Sequence, residues 1–229
     1  MRQIILDTET TGLSPEEGHR VIEIGCLELI NRRLTGEYRH YYLNPERSIE
    51  RAAEEVHGLT AEFLQDKPKF AEIAEPFLDF IRDAELVIHN APFDVGFLNH
   101  EFNLWKRHHL PVSHYCKILD TLVLAKRKHP GQKNSLDALC RRYHVDNSSR
   151  QYHGALLDAE LLAQVYLFMT GGQTQLFSEE IVELTAASAN LSLEKLSTQQ
   201  AIARMSLPLI EASEAELAAH QEFMNQYVK

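Results

Sequence analysis

The run Ile4-Ile5-Leu6-Asp7-Thr8-Glu9-Thr10-Thr11-Gly12 constrains this chain more than any other segment. Three apolar residues lead straight into two carboxylates two positions apart, and a polar turn with a glycine follows. In a strand, alternate residues share a face about 7 Å apart, so both carboxylates point the same way at the strand's end. Like charges so placed repel each other and favour protonation unless a cation neutralises them. Oxygen donors in such a cluster suit Mg²⁺ or Mn²⁺. The feature predicts a strand that ends in a divalent-metal site.

The first 170 residues alternate strand-like and helix-like patterns. Gln3–Asp7, Val21–Ile30 and Glu37–Leu43 read as an antiparallel meander, with Arg33–Gly36 as its second turn. Phe70, Ile73, Ala74, Phe77, Leu78 and Ile81 form a helical stripe. Leu86–His89 reads as a short buried strand, followed by a helix from about Pro92 to Lys106. Cys116–Leu119 reads as a fifth strand, with Asp120 capping the helix after it. Ser135 and Asp137 begin another helix, and Gly154–Met169 is the last long one. This order predicts an α/β fold with a mixed five-stranded sheet and helices on both faces.

A chain of 229 residues with net charge −10 can hold one substantial core, or one core with an appendage, and it is not built for broad adhesion to nucleic acid. A strand end drawn into a metal-lined pocket remains compatible with that charge. Basic residues gather at Lys126-Arg127-Lys128-His129, Lys133 and Arg141-Arg142, a pattern that also describes a solvated face. Cys26, Cys116 and Cys140 are few, odd in number and not spaced for a metal. Together with the missing signal peptide and membrane span, they predict a cytoplasmic protein. Composition changes after Gly171-Gly172. Residues 178–229 hold eight acidic, three basic and two aromatic residues, too little apolar weight for a second core. They read as a flexible, partly helical tail that orders on a partner, with a helix packed back on the domain as the alternative.

Three further residues belong with Asp7 and Glu9. Asp94, in His89-Asn90-Ala91-Pro92-Phe93-Asp94, falls in the first turn of a helix at the carboxyl edge of the sheet, where open α/β sheets collect ligands. His153 and Asp158, in His153-Gly154-Ala155-Leu156-Leu157-Asp158, fall in a loop and one helical turn deeper. A buried carboxylate among leucines needs a partner, and a metal resolves that cost. The expected chemistry is two-metal phosphodiester hydrolysis. Asp7 would bridge two cations, Glu9 and Asp158 would complete one site, and Asp94 would contribute to the other. His153 would take a proton from the attacking water. Spacing alone also fits a kinase-like or phosphatase-like metal site.

These three segments resemble the three motifs of the DEDD exonuclease superfamily in its histidine-bearing branch. They are closer still to the proofreading subunits of bacterial DNA polymerase III. The resemblance covers about residues 1–175, with all five motif residues present. It implies a ribonuclease H-like fold and a 3′→5′ exonuclease domain over 1–172 that releases nucleoside 5′-monophosphates. Asp7, Glu9, Asp94 and Asp158 would be metal ligands, and His153 the general base. Thr8, Thr10, Gly12, Leu13, His57 and Phe93 would hold the terminal nucleotide of a single-stranded or frayed DNA 3′ end. Gln173-Thr174-Gln175-Leu176-Phe177 resembles the short peptides that enter a sliding clamp, with Gln173, Leu176 and Phe177 as anchors. The resemblance further implies that the tail over 178–229 binds the polymerase alpha subunit, and some relatives contact a small third core subunit. A related exoribonuclease shares the same five residues, and a non-catalytic scaffold between clamp and polymerase is the other alternative.

Overall fold

A computed structural model describes residues 1–148, Arg150 and residues 152–171. The expected clamp peptide at 173–177 and the tail at 178–229 lie outside the described residues. The first strand, β1 (Arg2–Thr10), pairs antiparallel with β2 (Val21–Ile30), which pairs antiparallel with β3 (Arg33–Tyr42). On its other side β1 pairs in parallel with β4 (Glu85–Ile88), and β4 with β5 (Lys117–Asp120). The sheet therefore runs β3-β2-β1-β4-β5, mixed and five-stranded as expected, with the carboxylate-bearing strand at its centre.

Alternation along β1 splits the core. Ile4 and Leu6 pack with Ile24, Cys26 and Leu86 against helices α3 (Phe70–Ile81) and α4 (Ala91–Trp105). Ile5 faces the other way and packs with Leu29 and Val87 against α8 (Ala155–Thr170). Asp7 and Glu9 share the parity of Ile5, so they project toward α8. A third cluster joins α8 to α6 (Thr121–Lys128) and α7 (Leu136–Tyr143). Helices thus cover both faces.

Several boundaries differ from expectation. Strand β1 runs on to Thr10 because β2 pairs with it throughout, so both carboxylates lie inside the strand and a register shift falls between Glu9 and Thr10. The β2–β3 turn is the residue pair Asn31-Arg32, with φ of 49° and 68°, and not Arg33–Gly36. A two-residue turn with positive φ at both positions matches strand twist, which carries β3 back to Arg33. Short helices at Arg51–His57 (α1), Ala61–Leu64 (α2) and Val112–Tyr115 (α5) have no long apolar stripe to announce them. The caps behave as expected: Asp120 accepts from the Leu122 and Val123 amides, and Ser135 accepts from Ala138. The basic residues at Lys126, Arg127, Lys128, Lys133 and Arg141 are all exposed.

Candidate active site

Pairing between β1 and β4 covers Gln3–Ile5, so the carboxylate half of β1 extends past the end of β4. The chain leaving β4 turns at Asn90, whose φ of 68° lies in the left-handed region that asparagine tolerates best after glycine. Pro92 sits in the first turn of α4, where its fixed φ suits the helix and its missing N–H costs nothing. That turn delivers Asp94, 3 % exposed, beside β1. The Thr8 hydroxyl donates to Asp94 Oδ1 at 2.7 Å and fixes the carboxylate's orientation. On the opposite side, the first turn of α8 delivers Asp158, also buried.

Asp7, Glu9, Asp94, Asp158 and His153 line one cleft of about 570 Å³. All five expected catalytic residues are therefore neighbours. Donor atoms of Glu9, His153 and Asp158 lie within 4.8 Å of one another, close enough to share one ion. Burial is the first cause, and neighbouring carboxylates the second, that hold the Asp7 carboxyl well above its ordinary range. Glu9 is pushed up to about 8 by burial, then by Asp158 and Glu23. Burial likewise raises Asp94 to about 7, against the pull of its Thr8 hydrogen bond. The cluster is thus short of positive charge. Asp158 Oδ1 is buried with no partner among the described residues. An orphaned carboxylate oxygen beside three other carboxylates is the donor set a hard divalent cation completes.

A second, more apolar pocket of about 340 Å³ adjoins the cleft and shares Thr8, Glu9 and Phe93 with it. Thr10, Gly12, Leu13 and His57 complete the expected nucleotide set, and all line this pocket. Gln173, Leu176 and Phe177 lie outside the described residues.

The family comparisons agree with this geometry. Residues 4–166 match the exonuclease family model RNase_T. DNA polymerase III subunit epsilon of Salmonella typhimurium is 51% identical over 96% of this chain and 90% of its own length. The Rickettsia felis subunit is 47% identical over 100% of this chain and 98% of its own. This chain belongs to the epsilon-subunit family of DNA polymerase III. Among solved structures, exonuclease X in complex with 5′ overhanging duplex DNA shares 26% identity at a TM-score of 0.58, covering 73% of this chain and 90% of that one. Exonuclease I shares the fold at 17% identity and a TM-score of 0.62. Like the rest of its family, this epsilon-type chain is a 3′→5′ exonuclease, and exonucleases of this family depend on divalent metal.

Sequence reasoning missed some residues of this epsilon-type site. Glu23, 3 % exposed, is the cross-strand partner of Glu9 and is held by His40 Nε2 at 2.7 Å. Only the register of the β1–β2 hairpin could have brought it in. Arg150 lines the cleft with its side chain 8 % exposed, and it contacts Asp137, His153 and Asp158. Its position three residues before His153 carries no periodicity that would have singled it out.

Proposed function

We propose that this exonuclease edits the 3′ end of newly made DNA as a subunit of the polymerase III core, hydrolysing the terminal phosphodiester in the Asp7–Glu9–Asp94–Asp158 cleft. The observation that carries this reading is the meeting of five chemically matched side chains from three distant segments in one cleft beside an apolar pocket.

Asp7, Glu9, Asp94 and Asp158 would hold two divalent cations, Mg²⁺ or Mn²⁺. When bound, such ions neutralise the charge that develops on phosphate oxygens during in-line displacement. Burial, then the Arg150 guanidinium, pushes the His153 pKa down, so its ring is neutral near pH 7. His153 takes the proton of the attacking water as the new P–O bond forms. The bond from phosphorus to the penultimate 3′ oxygen breaks, and a nucleoside 5′-monophosphate leaves. The shortened strand's 3′ oxygen regains its proton from solvent.

The adjoining pocket would seat the terminal nucleotide. His57 Nδ1 accepts a hydrogen bond from the Leu59 amide at 3.0 Å, so the neutral ring carries its proton on Nε2. That Nε2–H is buried and unpartnered among the described residues, a donor kept for a nucleotide oxygen. Phe93 and Leu13 offer apolar surface for the terminal base. A mismatched end frays more readily and reaches such a pocket more often, so the pocket need not read the wrong base.

Residues 173–177 would enter a sliding clamp, and residues 178–229 would bind the alpha subunit; a small third core subunit would contact the exonuclease domain. Support comes from the extent of the likeness. The epsilon relatives match over 96–100% of this chain, well past residue 166, where the exonuclease match ends. The three buried free thiols suit a reducing cytoplasm.

Hydrolysis of paired and mismatched DNA primer ends, with an RNA end alongside and with metal or chelator, tests the proposal. Metal-dependent release of 5′-monophosphates, fastest from the mismatched DNA end, is expected. Preference for the RNA end would transfer the activity to RNA trimming. Changing Leu176 and Phe177 together to alanine should abolish clamp binding while hydrolysis persists.

A further inference from the structure

Arg150 occupies the heart of the cleft. Its Nη2 donates to Asp158 Oδ2 at 2.5 Å and to His153 Nδ1 at 3.1 Å, and its Nη1 donates to Asp137 Oδ1 at 2.7 Å. One guanidinium nitrogen thus holds a carboxylate assigned to metal and the lone pair assigned to the attacking water's proton. A protonated guanidinium has no acceptor, so His153 Nδ1 must be the acceptor in this contact. While it lasts, Nδ1 cannot take a proton from water.

We propose that Arg150 is a positioning residue that acts as an internal stand-in for the cation, holding Asp158 and His153 until divalent metal displaces it. This rests on the reading of the cleft as a metal site. The geometry gives the exchange its physical basis. Asp158 is 3 % exposed and shares the cleft with Asp7, Glu9 and Asp94, so in the absence of metal it needs a positive partner. Arg150 supplies that charge without a bound ion. Its Nη1 stays tied to Asp137, whose side chain is 47 % exposed, so the arginine can give up Asp158 and remain anchored at the rim. Arg150 and a metal ion compete for the same buried Asp158 carboxylate. Arg150 therefore weakens metal uptake while keeping the empty site assembled, and its departure frees the His153 lone pair at the moment metal arrives.

The test measures Mn²⁺ affinity directly, by electron paramagnetic resonance of free Mn²⁺, on the full chain. Four proteins are compared: wild type, R150Q, D158N and R142Q. The last removes the same charge from α7, where Arg142 bonds Asn134 and the Lys133 carbonyl and makes no contact with Asp158. Competition predicts about ten-fold tighter Mn²⁺ binding in R150Q than in wild type, and little change in R142Q. It also predicts a larger rise in melting temperature on Mn²⁺ addition for R150Q, because its metal-free form has lost the internal cation. Unchanged or weaker binding in a folded R150Q would overturn the proposal, as would equal tightening in R142Q, which would reduce the effect to net charge. A wild-type protein with no Mn²⁺ site sensitive to D158N would instead overturn the metal-site reading itself. If R150Q fails to fold, R150K takes its place. Its point charge cannot span Asp137 and Asp158 as the fork does, so binding should tighten by a smaller factor, and wild-type affinity there would refute the competition.

Discussion

Gly25 lies against Ala155: a Cβ on Gly25 would stand 2.4 Å from the Ala155 carbonyl oxygen and 2.3 Å from the Leu156 nitrogen. Gly25 is also the cross-strand partner of Asp7. The missing side chain lets the start of α8 settle on the sheet at the level of Asp7, which sets Asp158 beside it one turn later. Backbone cannot swing away as a flexible side chain can, so Gly25→Ala must lift the helix. The expected result is a loss of roughly 1–3 kcal/mol of stability. A fall of about 10²-fold in single-turnover hydrolysis should accompany it, because misplacing a reacting group by about an ångström has that effect. Thermal melts and rapid-quench kinetics check both. A folded variant with full activity would mean that this approach does not set the distance between the acids.

The carboxylate cluster makes metal-free stability depend on pH with a definite sign. Glu9 is pushed up to about 8 and Asp94 to about 7, so between pH 4.5 and 8 the folded chain binds more protons than the unfolded one. Stability is then greatest below the unfolded-state values and is lost as pH rises through the folded ones. His57, His89 and His153, whose pKa values are lowered chiefly by burial, act in the opposite sense, but only below about pH 6.5. In chelator, stability should therefore drop by roughly 1–2 kcal/mol from pH 6.5 to 8, and Glu9→Gln should flatten that slope. Denaturant titrations across this range decide it. Rising stability in the chelated wild type would contradict the charge-starved cluster.

Much of this arrangement was legible in the residues. The carboxylate pair and the apolar stripe at 70–81 each act over a few neighbours, so their signals are local. Asp94 and Asp158 came within reach because helix N-terminal turns carry recognisable residues. Glu23, Gly25 and Arg150 were not legible. The first two depend on which residue of β2 lies opposite Asp7 and Glu9, and register is a property of the paired strands. Arg150 is placed by ion pairs with Asp137 and Asp158, which lie in two different helices. The β2–β3 turn was misplaced for a related reason: Asn31-Arg32 carries no glycine, and the glycine at 36 was a stronger turn signal than the asparagine that adopts positive φ.

Replacing His153 by alanine separates a base from a ligand. As a base it should lower kcat by roughly 10²–10⁴-fold, while Mn²⁺ affinity changes little and added imidazole restores part of the rate. The ring is half-exposed, with Nδ1 3.7 Å from Asp158 Oδ2, so an external imidazole has room to enter. A loss of Mn²⁺ affinity in step with kcat would make His153 a ligand alongside Glu9 and Asp158.

Glu101, on α4, anchors the start of β2. Its carboxylate, 1 % exposed, accepts from Arg20 Nε at 2.8 Å, Arg20 Nη2 at 2.7 Å and the Val21 amide at 3.0 Å. Arg20 in turn receives the Thr11 amide on its carbonyl. Glu101→Ala leaves a half-buried guanidinium and a buried amide unpaired, a defect that costs roughly 3–5 kcal/mol. Thermal denaturation should show that loss, with Mn²⁺ affinity unaltered in the protein that remains folded. A stability change under 1 kcal/mol would class the pair with ordinary surface bridges.

Leu13 is 82 % exposed, yet the turn that carries it is tightly held. The Thr10 hydroxyl donates to the Gly12 carbonyl at 2.7 Å, and the buried Thr11 hydroxyl meets His19 Nδ1 at 3.0 Å. A Cβ on Gly12 would stand 2.3 Å from the His19 ring, so only glycine lets that ring close under the turn. A large apolar side chain on a rigid, solvated turn adds nothing to the core, and its natural use is against a base entering the pocket it lines. Leu13→Ala should therefore leave the melting temperature unchanged and raise KM for single-stranded DNA about ten-fold, the scale of one lost base-stacking contact. Gly12→Ala should give a similar KM defect and a lower melting temperature, because it displaces His19 as well. An unaltered KM in Leu13→Ala would remove Leu13 from the substrate path and leave Phe93 as the apolar surface for the terminal base.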